Sequence, residues 1–203
     1  MLFIVSGASG VGKTTLCDRL RAEFPEICLS VSYTTRAARG AEVDGEHYHF
    51  VSPERFAAMV AAGQFAEHAL VHGNHYGTAK ATIDAALDDG NVVLFDVDYQ
   101  GTESLLRHYA NAVATMILPP SLPALEQRLR GRGTDSEEVI QRRLAAAVRE
   151  IRHFSSFHYV LVNEQLERAY DELRAIYVAE RARTIRRAAL VQGRFLAETD
   201  REN

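Results

Sequence analysis

Gly7-Ala8-Ser9-Gly10-Val11-Gly12-Lys13-Thr14 fits the pattern G-x-x-x-x-G-K-[ST], which few structural settings accommodate. Its glycines let backbone N–H groups turn inward and crowd around phosphate oxygens. The residues ahead of it, Leu2-Phe3-Ile4-Val5, form a short apolar run that reads as a buried strand stopping at Ser6-Gly7. The residues behind it predict a helix from about Lys13 to Phe24, with Leu16 and Leu20 on one face and Pro25 closing it. Such a helix presents its positive N-terminal end to an anion. Lys13 is then placed to reach β and γ phosphates, and the Thr14 hydroxyl to ligate Mg²⁺. By chance the pattern arises in about one chain in a hundred of this length. The strand before and the helix after turn it into a nucleoside triphosphate site, with the acceptor unspecified.

The rest of the chain alternates strand and helix signals around one interruption. Val92-Val93-Leu94-Phe95 is a continuous apolar run of the kind parallel sheets bury. Val113 to Leu118 is a further strand, and Ser121 then caps a helix carrying Leu122, Leu125 and Leu129. Val160-Leu161-Val162 reads as the last core strand, before a long helix with Leu166, Tyr170, Leu173 and Tyr177 at helical spacing. Ile27 to Val31 reads as another strand. Between Ser32 and about Lys80 the rhythm breaks. Ser52-Pro53 starts a helix that ends at Gly63, and Phe65 to Val71 and Asn74 to Thr78 form strands around a His72-Gly73-Asn74 turn. The segment from Arg181 to Asn203 reads either as an amphipathic helix or as a loose tail. This order implies an α/β fold with a mainly parallel sheet and right-handed crossovers.

Asp96 and Asp98 end the Val92 run. An acid at the C-terminal edge of such a strand lies where ligand and metal gather. Ser32 to Phe50 holds Arg36, Arg39 and Tyr48; two guanidiniums and a phenol can grip a phosphate monoester by charge-assisted, bidentate bonds. Glu67 interrupts the apolar stretch Phe65 to Leu70, with Tyr76-Gly77-Thr78 following. It either faces water on an alternating strand or reads a base. Guanine offers N1–H and an N2 amine side by side, which one carboxylate can accept together, and adenine offers no such pair. A site of this type discriminates by about 10⁴-fold.

The chain resembles guanylate kinase from about Leu2 to Glu180. The resemblance is carried by GASGVGKTT (Gly7 to Thr15), SVSYTTRAARGAEVDGEHYHF (Ser30 to Phe50), GNHYGT (Gly73 to Thr78), DVDYQG (Asp96 to Gly101), RGRGTDSEEVIQRRL (Arg130 to Leu144) and LVNE (Leu161 to Glu164). It implies transfer of the ATP γ-phosphoryl group to GMP, with Mg²⁺ held by Thr14 and Asp96, directly or through water. ATP would lie against Gly7, Ala8, Ser9, Gly10, Val11, Gly12, Lys13, Thr14, Thr15 and Asn163. Ser32, Glu67, Thr78 and Asp98 would contact guanine, and Arg36, Arg39, Tyr48 and Tyr76 would hold the GMP phosphate. Lys13, Arg39, Arg132 and Arg143 would be catalytic, the last pair closing over the ATP phosphates with Gly131 and Gly133 as hinges. Thr78 stands where the family has Ser or Thr, and Glu164 where it often has Asp.

The resemblance implies a single domain over residues 1–203 with a three-layer P-loop core (1–31, 83–127, 150–180). A small mixed α+β GMP-binding insert (32–82), a helical lid (128–149) and a C-terminal helical extension (181–203) complete it. Net charge of −4 disfavours a nucleic-acid partner. The opening run is too short for a signal segment, and no apolar run approaches a membrane span, so the expected location is the cytoplasm. Cys17 and Cys28 are too few for a disulfide framework. His47, His49, His72 and His75 lack the Cys or acid partners of a zinc pattern. dGMP is an expected second acceptor, and the C-terminal segment a candidate for homo-oligomer formation. Two other readings exist, a kinase for another small phosphorylated acceptor and a non-catalytic binding module. The Glu67 set argues against the first, and the intact Lys13 and Thr14 against the second.

Overall fold

The computed structural model of the chain describes residues 1–71, 73–131, 133 and 135–196. Strands β1 (Leu2–Ser6), β2 (Ile27–Leu29), β7 (Val92–Asp96), β8 (Val113–Leu118) and β9 (Tyr159–Val162) form a five-stranded sheet in the order β2-β7-β1-β8-β9. Every pairing in it is parallel. The fully buried run Leu2–Ser6 is therefore the middle strand, in register with Val93 to Asp96 on one side and Val113 to Met116 on the other.

Because side chains alternate along β1, each face of the sheet needs its own cover. Phe3 and Val5 pack with Leu16 and Leu20 of helix α1 (Lys13–Glu23) and with Leu173 and Tyr177 of α7 (Leu166–Arg181). Leu2 and Ile4 pack on the other face against Ile83 of α3 (Lys80–Asp88) and Leu105 of α4 (Tyr99–His108). Tyr177, fully buried, sits edge-on to Phe3 with ring centroids 5.6 Å apart. The result is three layers, helix on sheet on helix, as the alternation of apolar runs and amphipathic stretches requires.

Ser52 to Lys80 adds α2 (Pro53–Ala61), β5 (Phe65–Val71) and β6 (Asn74–Ala79). With β3 (Tyr33–Thr34) and β4 (His49–Phe50) these strands make a second sheet, ordered β4-β3-β6-β5. Its β3–β6 and β5–β6 pairs are antiparallel. The Ser52 hydroxyl accepts from the Arg55 N–H at 3.2 Å with Pro53 beside it, the helix start that Ser-Pro encodes. Phe56 of α2 stacks on Phe65 of β5 at 4.6 Å and seals a small separate core. The β5–β6 register shifts between Phe65 and Glu67, which turns Glu67 to face Thr78.

Helices α5 (Leu122–Arg130) and α6 (Glu137–Ile151) follow β8, capped by the hydroxyls of Ser121 and Ser136. Beyond α7 the chain continues into α8 (Thr184–Val191), so the C-terminal segment is helical through this stretch. The buried Glu180 carboxylate accepts from Tyr159 at 2.6 Å and from Arg186 at 2.7 Å, and Arg186 also reaches the Asn111 carbonyl at 2.8 Å. Ile185, Leu190, Phe195 and Leu196 remain exposed. Among the described residues no helix is long and apolar enough to cross a membrane.

Candidate active site

The phosphate loop leaves the C-terminal end of β1, where β7 and β8 flank it. In an open α/β sheet that crevice collects ligands. Gly7, Gly10 and Gly12 have φ of 139°, 93° and 99°. A Cβ built on Gly7 would lie 2.2 Å from the Ile117 carbonyl oxygen, and one on Gly12 would lie 2.5 Å from Asn163 Nδ2. Side chains are excluded at both points by backbone conformation and by space.

Helix α1 opens at Gly12 with no side-chain cap and no acid in its first turn, leaving its N–H groups and dipole to an incoming anion. Lys13 is drawn back over the loop. Its Nζ donates to the Gly7 and Ala8 carbonyls and lies 3.8 Å from Asp96 Oδ1. Burial pushes the Asp96 carboxyl above its ordinary pKa, and Lys13 opposes that shift. Ser9, Thr14 and Thr15 are exposed on the rim. Asn163 follows β9 but points inward: buried, it donates from Nδ2 to the Val11 carbonyl at 2.7 Å and braces the loop from below. Its own carbonyl accepts from Arg128 at 2.8 Å.

Helix α6 crosses this loop with two charges seven residues apart, hence on one face. Arg143 donates to Ser9 Oγ at 3.1 Å and to Asp135 at 3.5 Å. Glu150 accepts from the Ser6 hydroxyl at 3.3 Å. Burial raises the Glu150 pKa, against the pull of nearby Lys13. Arg132, expected to act with Arg143, lies outside the described residues, between Gly131 and Gly133.

Across a cavity of about 710 Å³, lined by Ser32, Glu42, Tyr48, Glu67, Thr78 and Asp96 among others, the second sheet presents its polar side chains. A volume of this order suits one small ligand. Thr78 Oγ1 donates to Glu67 at 2.7 Å and lies 3.1 Å from Ser32 Oγ. The single Thr78 proton is thereby committed to Glu67, so Ser32 donates to Thr78. Burial raises the Glu67 pKa, the Thr78 bond opposing and the charge of Asp98 adding to the rise. Asp98 caps α4, accepting from the Gly101 N–H at 2.9 Å.

Tyr48 and Glu42 line the cavity, and beside them, outside its lining, stand Arg36, Arg39 and Tyr76. Arg36 is buried, 5.2 Å from the Tyr48 ring and 5.8 Å from that of Phe50. Its Nη1 and Nη2 donate to the two oxygens of Glu42 at 2.8 and 2.9 Å. Arg39 is exposed, its backbone N–H held by Glu42 at 2.7 Å. The Tyr48 and Tyr76 rings meet at 6.0 Å, edge to face. Ser32, Tyr48, Glu67 and Thr78, on or next to the strands of the second sheet, thus line one cavity with Asp96, while Arg36 and Tyr76 stand beside it and Asp98 lines a neighbouring pocket that also touches Glu67. Glu42 and Glu150 were not singled out by the sequence reading. The available signal was spacing alone, Glu42 three residues after Arg39 and Glu150 seven after Arg143.

Residues 1–180 match the family model described as Guanylate kinase. The guanylate kinase of Syntrophotalea carbinolica is 50% identical over 186 residues, covering 92% of this chain and 89% of that protein. That of Nitratidesulfovibrio vulgaris is 51% identical over 194 residues, covering 95% and 93%. The crystal structure of guanylate kinase from Anaplasma phagocytophilum superposes with a TM-score of 0.69 at 33% identity, covering 96% of this chain and 94% of that one.

Glu67 carries a stability consequence that needs no ligand. Its folded pKa lies above the unfolded value, so the proton it retains stabilises the fold below the unfolded pKa. That contribution is lost as pH rises through the folded value, where a desolvated charge forms. Glu67→Gln should therefore melt at a higher temperature than the wild type at about pH 8 and lose that advantage at about pH 4. Melting curves that differ equally at both values would reject this account.

Proposed function

Because the chain belongs to the guanylate kinase family and is an ATP:GMP phosphotransferase, we propose that the 710 Å³ cavity is its GMP site and the glycine loop its ATP site. One observation carries the assignment: a half-buried carboxylate, Glu67, is held by the Thr78 hydroxyl, itself bonded to Ser32, and lines the cavity bordered by Asp96. Ionised, Glu67 accepts the paired N1–H and N2 donors of guanine, and Asp98 adds a second acceptor. Adenine leaves the carboxylate desolvated and unpaired. Ser32 and Thr78 complete the base contact. Arg36, Arg39, Tyr48 and Tyr76 take the phosphate at the far end. dGMP offers the same base and phosphate and is an expected acceptor.

On the ATP side, the N–H groups from Gly7 to Thr15 enclose the β and γ phosphates, and Lys13 turns from the loop carbonyls to neutralise them. Thr14 and Asp96 fit Mg²⁺, since a hydroxyl and a carboxylate are the hard oxygen donors that ion takes. Bound there with ATP, the ion would offset phosphate charge. The second pKa of a phosphate monoester is about 6, so the attacking GMP oxygen is already ionised at neutral pH and needs no general base. What the chain supplies is alignment of two anions and cancellation of their repulsion. Arg143, seven residues from the Glu150 anchor on the same helix, is placed to follow charge onto the transferring group, with Arg132 as its expected partner. The insert (32–82) and the lid (128–149) are the segments that would close to keep water from the γ-phosphoryl group. The expected compartment is the cytoplasm.

The test is ADP formation from ATP and Mg²⁺ with GMP, dGMP, AMP, CMP, UMP, dTMP and ribose phosphates, each against a blank without acceptor. GMP should lead, with dGMP second and the rest near blank. Glu67→Gln should cut kcat/KM for GMP by about 10³-fold or more while leaving the KM for ATP in place. Turnover of another acceptor with none of GMP would overturn the site assignment, and GMP binding without turnover would favour the binding-module reading.

Arg143→Ala should lower kcat by about 10³-fold with GMP affinity retained, the size expected for an arginine finger. Unchanged turnover would remove Arg143 from the chemistry. The exposed Ile185, Leu190, Phe195 and Leu196 support self-association through the C-terminal segment. Light scattering should then give more than a monomer mass, and a monomer at high concentration would dispose of this reading.

A further inference from the structure

Arg36 meets Glu42 before it meets any phosphate. A guanidinium has five N–H donors arranged on two bidentate edges, the Nη1–Nη2 fork and the Nε–Nη2 flank. Here the fork is taken by Glu42 at 2.8 and 2.9 Å, and the second Nη1 proton by the Ala37 carbonyl at 2.8 Å. The flank is the edge that Glu42 leaves over, and the Tyr76 hydroxyl is hydrogen-bonded to the same side chain. Glu42 could be a stand-in for the acceptor phosphate, displaced when it arrives, or a fixed part of the site. The local bonding separates these. Glu42 is built into its own turn: its N–H donates to the Arg39 carbonyl at 3.0 Å, and its carboxylate accepts from the Arg39 N–H at 2.7 Å. A group stitched at both its backbone and its side chain is not free to swing away. Tyr48 and Phe50, 5.2 and 5.8 Å from the guanidinium, further restrict its motion.

Resting on the assignment of Arg36 and Arg39 to the GMP phosphate, we propose that Glu42 is a positioning residue for the acceptor. It clamps the Arg36 fork so that the Nε–Nη2 flank faces the phosphate, and it fixes the turn from which Arg39 projects. The arrangement adds a negative charge next to an anion site. Its benefit is that the Arg36 side chain and the backbone at Arg39 do not have to be ordered when GMP binds, which would otherwise weaken binding. Arg36 carries most of the effect, because its guanidinium is buried and Arg39 is exposed.

The experiment measures KM for GMP, KM for ATP, kcat and inhibition by guanosine in Glu42→Gln, Glu42→Asp, Arg36→Ala and the Arg36→Ala/Glu42→Gln double variant. Thermal melts serve as the folding control. Glu42→Gln should raise the KM for GMP about tenfold, with the KM for ATP and inhibition by guanosine within about twofold of wild type. Guanosine has the base without the phosphate, so distortion of the whole small sheet would weaken both ligands. Glu42→Asp retains the charge one methylene back and should fall between. In the Arg36→Ala background, Glu42→Gln should cost no more than about a further twofold, because Glu42 acts through Arg36. A lower KM for GMP in Glu42→Gln would make Glu42 a competitor of the phosphate and overturn the proposal. An unchanged KM, or effects that multiply in the double variant, would also overturn it. If Arg36→Ala itself leaves the KM for GMP unchanged, the assignment of the phosphate site falls along with the proposal.

Discussion

At Gly7 there is room for a hydrogen atom and nothing larger. A Cβ there would sit 2.2 Å from the carbonyl oxygen of Ile117, in the neighbouring strand. This closeness is possible only because the loop springs from the middle strand of the sheet, between β7 and β8, and it dictates much of the rest. Strand β8 must run parallel and in register to present that carbonyl, and both faces of β1 must be buried for the strand to lie centrally. Asn163, at the end of the neighbouring β9, fills the remaining gap under the loop by holding the Val11 carbonyl.

Charge in the site follows a common scheme. Lys13 lies 3.8 Å from Asp96, Arg36 is clamped by Glu42, and Arg143 lies 3.5 Å from Asp135. Each cation is held in place by an anion of the chain itself. Glu67 is the opposite case, a carboxylate held by the Thr78 hydroxyl with no cation paired to it among the described residues, so its charge is costly.

The framework was readable because it rests on local signals. Buried parallel strands need unbroken apolar runs, and the start of α2 carries Ser-Pro, so β1, β7, β8 and α2 were all visible. Strands β3 and β4 were not, since two residues each cannot show a period. The strand expected over Ile27 to Val31 stops at Leu29, where its pairing with β7 ends at Leu94. Asn163, expected to lie against ATP, points inward, where the loop above it leaves a buried carbonyl that needs a donor. Glu42 and Glu150 escaped notice for a shared reason. A carboxylate in a polar stretch looks solvated until the fold supplies its partner, and Ser6 lies 144 residues from Glu150. Arg130 behaves as such stretches usually do, in surface pairs with Glu126 and Glu137.

Helix α6 touches the phosphate loop at Ser6 through Glu150 and at Ser9 through Arg143. The two contacts are unequal: the first is half-buried at the root of the loop, the second exposed at its rim. A rod held at one end is a lever. Seven residues of helix span about 10.5 Å, so a tilt of about 10° around Glu150 moves Arg143 by about 2 Å, enough to break its bond to Ser9. A small rotation at the fulcrum would thus be magnified at the tip.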